Sequence, residues 1–391
     1  MLASAVFEIN VGIKPYQIGK GTPPQSKRIV DERPFDSTTK LDSTYRPYLR
    51  GSDIDRFSIA PLEPRFIKYG PWLAEPRPAA NFDAPEKIVM RQTGDSLVAA
   101  LDNKQYLCLN NMHALVPKEK LPRIQYLLAL INSKLLNWYY QTLNPEVGEA
   151  LAEVKRTNAA ALPIRKLDLS KTKDQRQHDL IAKLGEDMLE LKTKCILKVF
   201  LKSISHKQRT ASNLAHYLQK DFASAVKQEI LIDDVQRLGF VHEIRIQSNR
   251  NNLTLEATVN ASTAGQPTPL PVLRLEFKDD ALREFIYASW RQFLADHSRQ
   301  KKWTKGNNPE SIYPLLINTL EPLVYFEATA GDNLRAIREL MKSVADEAGS
   351  SDLAAVEATI ERLDREIDER VYDLYGLTPE EIEIIEGNPT K

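Results

Sequence analysis

The chain has 391 residues, too many for one ordinary domain. Its 42% hydrophobic and 27% charged residues are the composition of a soluble protein with two or three buried cores. Only two cysteines, Cys108 and Cys195, and six scattered histidines exclude a disulfide framework and argue against a structural zinc site. The net charge of zero hides an uneven distribution, with +5 over residues 1–165, +6 over 166–311 and −11 over 312–391. A basic body with an acidic end suits a phosphate-binding protein, and a solvated acidic helix accounts for the end equally well. No apolar run approaches the roughly 18–20 residues that span a bilayer. "MLASAVFEIN" lacks the basic and apolar regions of a signal peptide, so a reducing cytoplasm and no membrane partner are expected.

Up to about Pro163, Pro- and Gly-rich stretches such as "KPYQIGKGTPPQ" and "YGPWLAEPRPAANF" punctuate short strands. "EKIVMRQTG", "SLVAALDN" and "QYLCLNNMHALVP" have strand character, and a turn at Asp102-Asn103 is expected to join the last two. The polar end of that stretch, with His113, fits a closed loop, a metal site or a reader of another molecule. Ile124, Leu127, Leu128, Ile131, Leu135 and Trp138 then recur at helical spacing, which predicts a helix laid on the sheet.

From Leu169 to about Arg237 helix is predicted, with Leu180, Leu184, Met188, Leu191, Cys195 and Val199 on one stripe. Strands follow at "FVHEIRIQSN", "NLTLEATVNA" and "LPVLRLEFK", the first two joined by a turn at "NRNN". "DDALREFIYASWRQFLADHSRQKKW" returns to helix, capped by Asp279 or Asp280. The tail reads as helix from about Ser311, with a stripe of Val356, Ile360, Leu363, Ile367, Val371 and Leu374. Gly376 stops this helix, and Thr378, Pro379 and Glu381 start another.

No glycine-rich phosphate loop and no nucleophile elbow is present. The Asn-Pro-Pro-aromatic loop of a DNA adenine methyltransferase is missing too, since Asn308-Pro309-Glu310 and Asn144-Pro145-Glu146 lack the second proline and the aromatic. Glu276 and Lys278 form a Glu-x-Lys on a strand, with Glu256 on the neighbouring one. This arrangement leaves a metal-dependent nuclease as a rival reading, and a non-catalytic assembly protein as a third.

Several segments, in order, resemble the TaqI-like C-terminal specificity domain of DNA adenine-N6 methyltransferases and single-chain restriction-modification enzymes. They are Tyr45–Phe57, Ala84–Pro117, Tyr126–Tyr140 and Val154–Ile164, and "DREIDERVYDLYGLTPEEIEIIEG" is similar to the way such enzymes end. The resemblance covers about residues 10–190 and 350–387. With the elements read above, the expected fold is α+β: a mixed β/α target-recognition domain over residues 1–165, a helical spacer with a small antiparallel α+β domain over 166–305 that resembles no family, and an acidic long-helix region over 306–391. The resemblance implies specific binding of double-stranded DNA within a restriction-modification or defence system. In these enzymes a methyltransferase domain precedes the recognition domain, whereas this chain begins where recognition begins. Catalysis, with its S-adenosylmethionine, is therefore expected in a partner domain or subunit.

Base readout needs two-pronged side chains, Arg for guanine and Asn or Gln for adenine, and backbone affinity needs cations and small donors. The recognition segment offers Arg50 and Ser52, Lys68 and Tyr69, Arg91, Gln92 and Thr93, Asn110 and Asn111, and Lys155, Arg156, Thr157 and Asn158, all expected in loops. The basic helical part from Lys166 to Lys207 is expected to clamp the duplex. His113 is expected to be a bystander.

Overall fold

The computed structural model describes residues 1–61, 64–119, 122–144, 152–193, 226–231, 240–262, 268–299 and 333–387. Residues 1–193 and 359–391 form one compact unit and 194–358 another. The chain is α+β with antiparallel sheets and a long helix near its C-terminus, as expected.

The first unit begins with α1 (Ala3–Val6), β1 (Phe7–Val11), α2 (Lys27–Glu32), β2 (Asp36–Ser37), β3 (Tyr45–Leu49), β4 (Ile54–Asp55), β5 (Ser58–Ile59) and β6 (Phe66–Lys68). β7 (Lys87–Arg91), β8 (Ala99–Asp102), β9 (Leu107–Cys108) and β10 (Met112–Pro117) follow. One sheet runs β1-β10-β7-β8, a second β2-β6-β3-β9, and β4 pairs with β5.

β7 explains why "KIVM" is apolar without alternation. Ile88 and Met90 enter one core with the helices, while Val89 enters another with Ile13, Leu49, Ile67 and Leu107. All three are fully buried, worth about 1.5–3 kcal/mol each. The strand is covered on both faces.

The expected hairpin at Asp102-Asn103 is absent. β8 pairs back on β7, so the hairpin turns over residues 92–98, and β10 pairs with β7 and β1. The Asp102 carboxylate accepts from the Lys104 and Tyr106 amides at 2.7 and 2.9 Å and ion-pairs with the fully buried Lys87. That bend sends the chain to β9, which joins β3 in parallel in the second sheet. Cys108 on β9 is a core residue, and burial pushes its thiol up to about 12.

The single helix expected over 124–138 is two helices, α3 (Ile124–Ile131) and α4 (Lys134–Leu143). Asn132 leaves the helix to bond both backbone groups of Ala99 at 3.1 and 3.0 Å, and Ser133 caps α4 by accepting from the Leu136 amide. After α5 (Arg156–Ala160) comes α6 (Thr172–Thr193), whose buried stripe is Ile181, Leu184 and Met188. Leu180, expected on that stripe, is 41% exposed because the buried face turns through His178 and Gly185 instead. A Cβ at Gly185 would stand 2.7 Å from the Gln125 carbonyl, so the glycine sets how closely α6 lies on α3. Cys195 and Val199, and the basic stretch beyond Thr193, lie outside the described residues.

In the second unit β11 (Val226–Ile230), β12 (Phe240–Asn249), β13 (Thr254–Ser262) and β14 (Thr268–Phe277) form an antiparallel sheet in the order β11-β14-β13-β12. β11 corrects the helix expected as far as Arg237: Val226 and Ile230 lie in register with Phe277 and Leu273 of β14, and sheet pairing overrides local helical preference. α7 (Asp280–Arg299) starts where Asp279 accepts from the Leu282 amide, and α8 (Asn333–Ala348) packs on it. The helix expected over 311–332 lies outside the described residues.

α9 (Leu353–Tyr375) belongs to the second unit as far as Ala358 and to the first from Thr359. Leu363, Ile367, Val371 and Leu374 then fold back into the first unit's helical core. Arg56 holds Asp364 with two bonds of 2.9 Å, Asp368 accepts from the Lys134 amide at 2.8 Å, and Tyr375 donates to the Pro163 carbonyl at 2.7 Å. This docking is why the tail joins residues 1–193. Gly376, at φ +72°, ends the helix. Thr378 and Glu381 bond each other's amides to start α10 (Pro379–Gly387).

Candidate nucleic-acid interface

β1, β10 and the segment after Ala152 converge on an open cleft of about 360 Å³, lined by Val11, Lys14, Glu75, Arg77, Gln92, Asn110, His113, Lys155 and Arg156. Gly12 permits the convergence, because a Cβ there would stand 2.0 Å from the Leu109 carbonyl oxygen. Residues 152–154 lie along the β7–β8 turn through two bonds, Val154 N to Gln92 O at 2.6 Å and Gly94 N to Ala152 O at 2.8 Å, which pair Thr93 with Glu153 as an antiparallel bridge. On the opposite rim Lys14 and Glu75 exchange backbone bonds of 2.9 and 2.8 Å, which sets Lys14 beside Arg77.

The lining carries four cations, Lys14, Arg77, Lys155 and Arg156, against one carboxylate, Glu75, which ion-pairs with Arg77. Asn110, Lys155, Arg156 and Arg77 are exposed. Arg77 holds φ +60°, an uncommon left-handed conformation for a side-chain-bearing residue, and its carbonyl accepts from the Tyr69 hydroxyl at 2.6 Å. Gln92 donates from Nε2 to Glu153 at 3.2 Å, while its buried Oε1 has no partner.

His113 has a definite place. Its Nε2 lies 2.7 Å from the Val154 carbonyl, so Nε2 carries the proton and Nδ1 is a buried acceptor without a partner. Burial pulls its pKa below the ordinary value, with the Val154 bond opposing, so the ring is neutral at pH 7. The histidine ties β10 to the strand that delivers Lys155 and Arg156.

Four of the expected residues therefore line the cleft: Gln92, Asn110, Lys155 and Arg156. A second group surrounds Gly51, whose Cβ position would meet Arg91 Cγ and Asn111 Nδ2 at 3.3 Å and Thr93 Oγ1 at 3.5 Å, with Ser52 exposed next to it. Arg91 donates from Nε to Gly51 O at 3.0 Å and from Nη2 to Ile54 O at 2.5 Å, so its guanidinium positions the 51–54 turn. Arg50 stacks on Tyr48, and Asp53 accepts from the Arg50 amide at 2.7 Å. Lys155, Arg156, Thr157 and Asn158 are not a loop: Lys155 caps α5, and the other three form its first turn. The helix forms because Ala159 is buried behind them. Lys68 and Tyr69 lie at the end of β6 in the second sheet. Lys14, Glu75 and Arg77 were missed in the sequence. They are joined only by a long-range backbone bridge that no local spacing signals.

Glu256 and Glu276 are each engaged by a cation, Glu256 by Arg274 at 2.8 Å and Glu276 by Lys227 at 3.3 Å. Among the described residues no group of three His, Cys, Asp or Glu side chains could hold a metal ion, and no helix is long and apolar enough to cross a membrane.

Known proteins compare as follows. No curated protein matches the chain. The S subunit of a type I restriction-modification system from M. genitalium is similar at 11% identity over 94% of this chain and 95% of that one, with a TM-score of 0.34. The type IIL restriction-modification enzyme MmeI, solved in complex with DNA, is similar at 10% identity and TM-score 0.33, over 49% of this chain and only 29% of that one. A chain of a type I restriction-modification complex gives 11% identity and TM-score 0.31 over 96% of both chains. TM-scores of this size carry no argument about fold, so the assignment rests on the family model. That model, the TaqI-like C-terminal specificity domain, matches residues 46–164, the part of the chain that holds β7, β10, α5 and most of the cleft. Over residues 46–164 the chain is thus similar to the TaqI-like C-terminal specificity domain.

Proposed function

We propose that the chain reads a specific sequence in double-stranded DNA as the specificity part of a restriction-modification or defence system. Methylation of adenine N6, drawing on S-adenosylmethionine, or cleavage is carried out by a catalytic domain or subunit that it positions. The observation that carries this reading is the cleft, where four cations surround two amide side chains within and beside the matched domain. Cations of this kind suit phosphate oxygens, and amides suit the N6–N7 edge of adenine.

Lys14, Arg77, Lys155 and Arg156 take backbone phosphates in this reading. Asn110, exposed on the rim and without an internal bond, and Gln92, after release from Glu153, contact base edges. Ser52, Thr93, Asn111, Thr157 and Asn158 border the same surface as phosphate donors, while Arg50 and Arg91 shape the turn beneath it. No methyl transfer or cleavage is expected from these residues alone.

Fluorescence anisotropy of labelled duplex against the 391-residue chain tests the reading. Binding that survives non-specific competitor and weakens steeply with salt is expected. Absence of binding, alone and together with a methyltransferase partner, would overturn it. Metal-dependent cleavage abolished by Lys278→Ala would establish the nuclease alternative instead.

A further inference from the structure

The second sheet carries a column of contacts that the cleft does not account for. Arg33 stands 4.6 Å over the Tyr16 ring, Tyr16 stacks on Phe35 at 5.5 Å with 6° between planes, Phe35 meets Trp72 at 6.4 Å, and Lys68 Nζ stands 5.1 Å over the Trp72 ring. Three rings are thus closed at both ends by cations. Arg46 over Tyr69 and Arg50 over Tyr48 add two more pairs on the same sheet. Four cation–ring pairs fall within residues 16–72, where about one per 70–80 residues is ordinary.

The column is rigidly built. Tyr16 Oη accepts from the Phe35 amide at 2.9 Å, and Trp72 Nε1 donates to the Lys68 carbonyl at 2.8 Å. Arg33 holds φ +50° and uses only Nε, toward Asp36 at 2.8 Å, so its terminal nitrogens have no partner among the described residues. Lys68 Nζ stands over the ring and close enough to Asp42 to help hold that carboxyl below its ordinary range, with no hydrogen bond among the described residues. Both cations therefore keep N–H donors that no internal hydrogen bond uses.

Charge concentrates here as well. Residues 12–50 and 64–82, which build this sheet and its approaches, hold 11 Lys and Arg against five Asp and Glu, a net +6. The whole of residues 1–165 nets only +5, so this subregion accounts for the basicity of the N-terminal half. The column continues from the cleft along the chain, since Lys14 on the rim leads through Pro15 to Tyr16, and the Ala74 amide bonds the Pro15 carbonyl at 3.0 Å.

We propose that the cation-capped column of Arg33, Tyr16, Phe35, Trp72 and Lys68 is a second contact for duplex DNA, holding the sugar–phosphate backbone outside the base pairs read in the cleft. The reading rests on the recognition function proposed above. Because cations close both ends of the column, phosphate rather than a stacked base is the complementary group.

The test measures binding of the 391-residue chain to a duplex of about 30 base pairs, three helical turns, across a salt series. Arg33→Gln with Lys68→Gln removes two charges and leaves a shorter, neutral polar side chain at each position. It is expected to flatten the slope of log affinity against log salt by about 1.8, at about 0.9 per phosphate contact, without altering preference among sequences. Arg33→Lys with Lys68→Arg is expected to keep the wild-type slope. If the double Gln variant loses its cooperative thermal transition, each single variant is expected to lose about 0.9. Wild-type binding with an unchanged slope in the Gln variants would overturn this inference and leave the recognition reading intact. No duplex binding by the wild type would remove both.

Discussion

Replacing Lys155 and Arg156 together by alanine tests the cleft through its electrostatics. Both side chains are exposed at the start of α5, behind a buried Ala159, so their removal leaves the core in place. If the four lining cations each neutralise one phosphate, the cleft contributes about −3.6 to the slope of log affinity against log salt. Raising salt from about 50 to 200 mM would then cost about 150-fold in affinity through the cleft alone. In the double variant the cleft keeps two contacts, its share of the slope falls to about −1.8, and the same change in salt costs about 12-fold through it. Anisotropy titrations at four or five salt concentrations measure both slopes, and a thermal melt confirms that the variant is folded. A variant slope equal to the wild type's, in a folded protein, would refute the placement of phosphate at α5.

Other expectations concern the scaffold. Lys87→Met strands the buried Asp102 carboxylate and should cost about 3–5 kcal/mol in chemical denaturation. Gly185→Ala, which would gain about 1 kcal/mol in an open helix, should lower the melting temperature because its Cβ presses on the Gln125 carbonyl. Asp368 is raised from 3.8 to about 6, chiefly by burial, so the folded state binds the proton more tightly than the unfolded chain. Its contribution to stability is therefore full below about 4 and is lost as pH rises through about 6. Asp368→Asn should accordingly stabilise the protein by about 3 kcal/mol at pH 8, and by far less at pH 4, in melts at the two pH values. An equal effect at both would contradict the assigned burial cost.

Strands, the "NRNN" turn, the Asp279 cap and the Gly376–Thr378 helix stop and start were legible because each is written in neighbouring residues. The Asp102-Asn103 hairpin was misread because the side chain that decides it bonds Lys87, fifteen positions earlier, and turns the chain toward the second sheet. The break at Asn132-Ser133 was hidden for the same kind of reason: continuous apolar spacing outweighs one polar pair until the exposed backbone of Ala99 is there to be bonded. At the cleft, Gln92, Asn110, Lys155 and Arg156 could be named from residue type, but their meeting depends on the pairing of residues 92–94 with 152–154. Lys14 and Arg77 had no local mark at all. His113 looked idle because its partner is a carbonyl 41 positions away.

The central claim, sequence-specific reading of duplex DNA, is tested most directly by selecting from a pool of duplexes with randomised sequence, using the wild-type chain, Asn110→Ala and Gln92→Ala. The account predicts one enriched motif for the wild type and relaxed selection at particular positions for each variant, at about 1–3 kcal/mol per lost base contact. Bound duplexes with no enriched motif, or a motif that both variants retain unchanged, would contradict it.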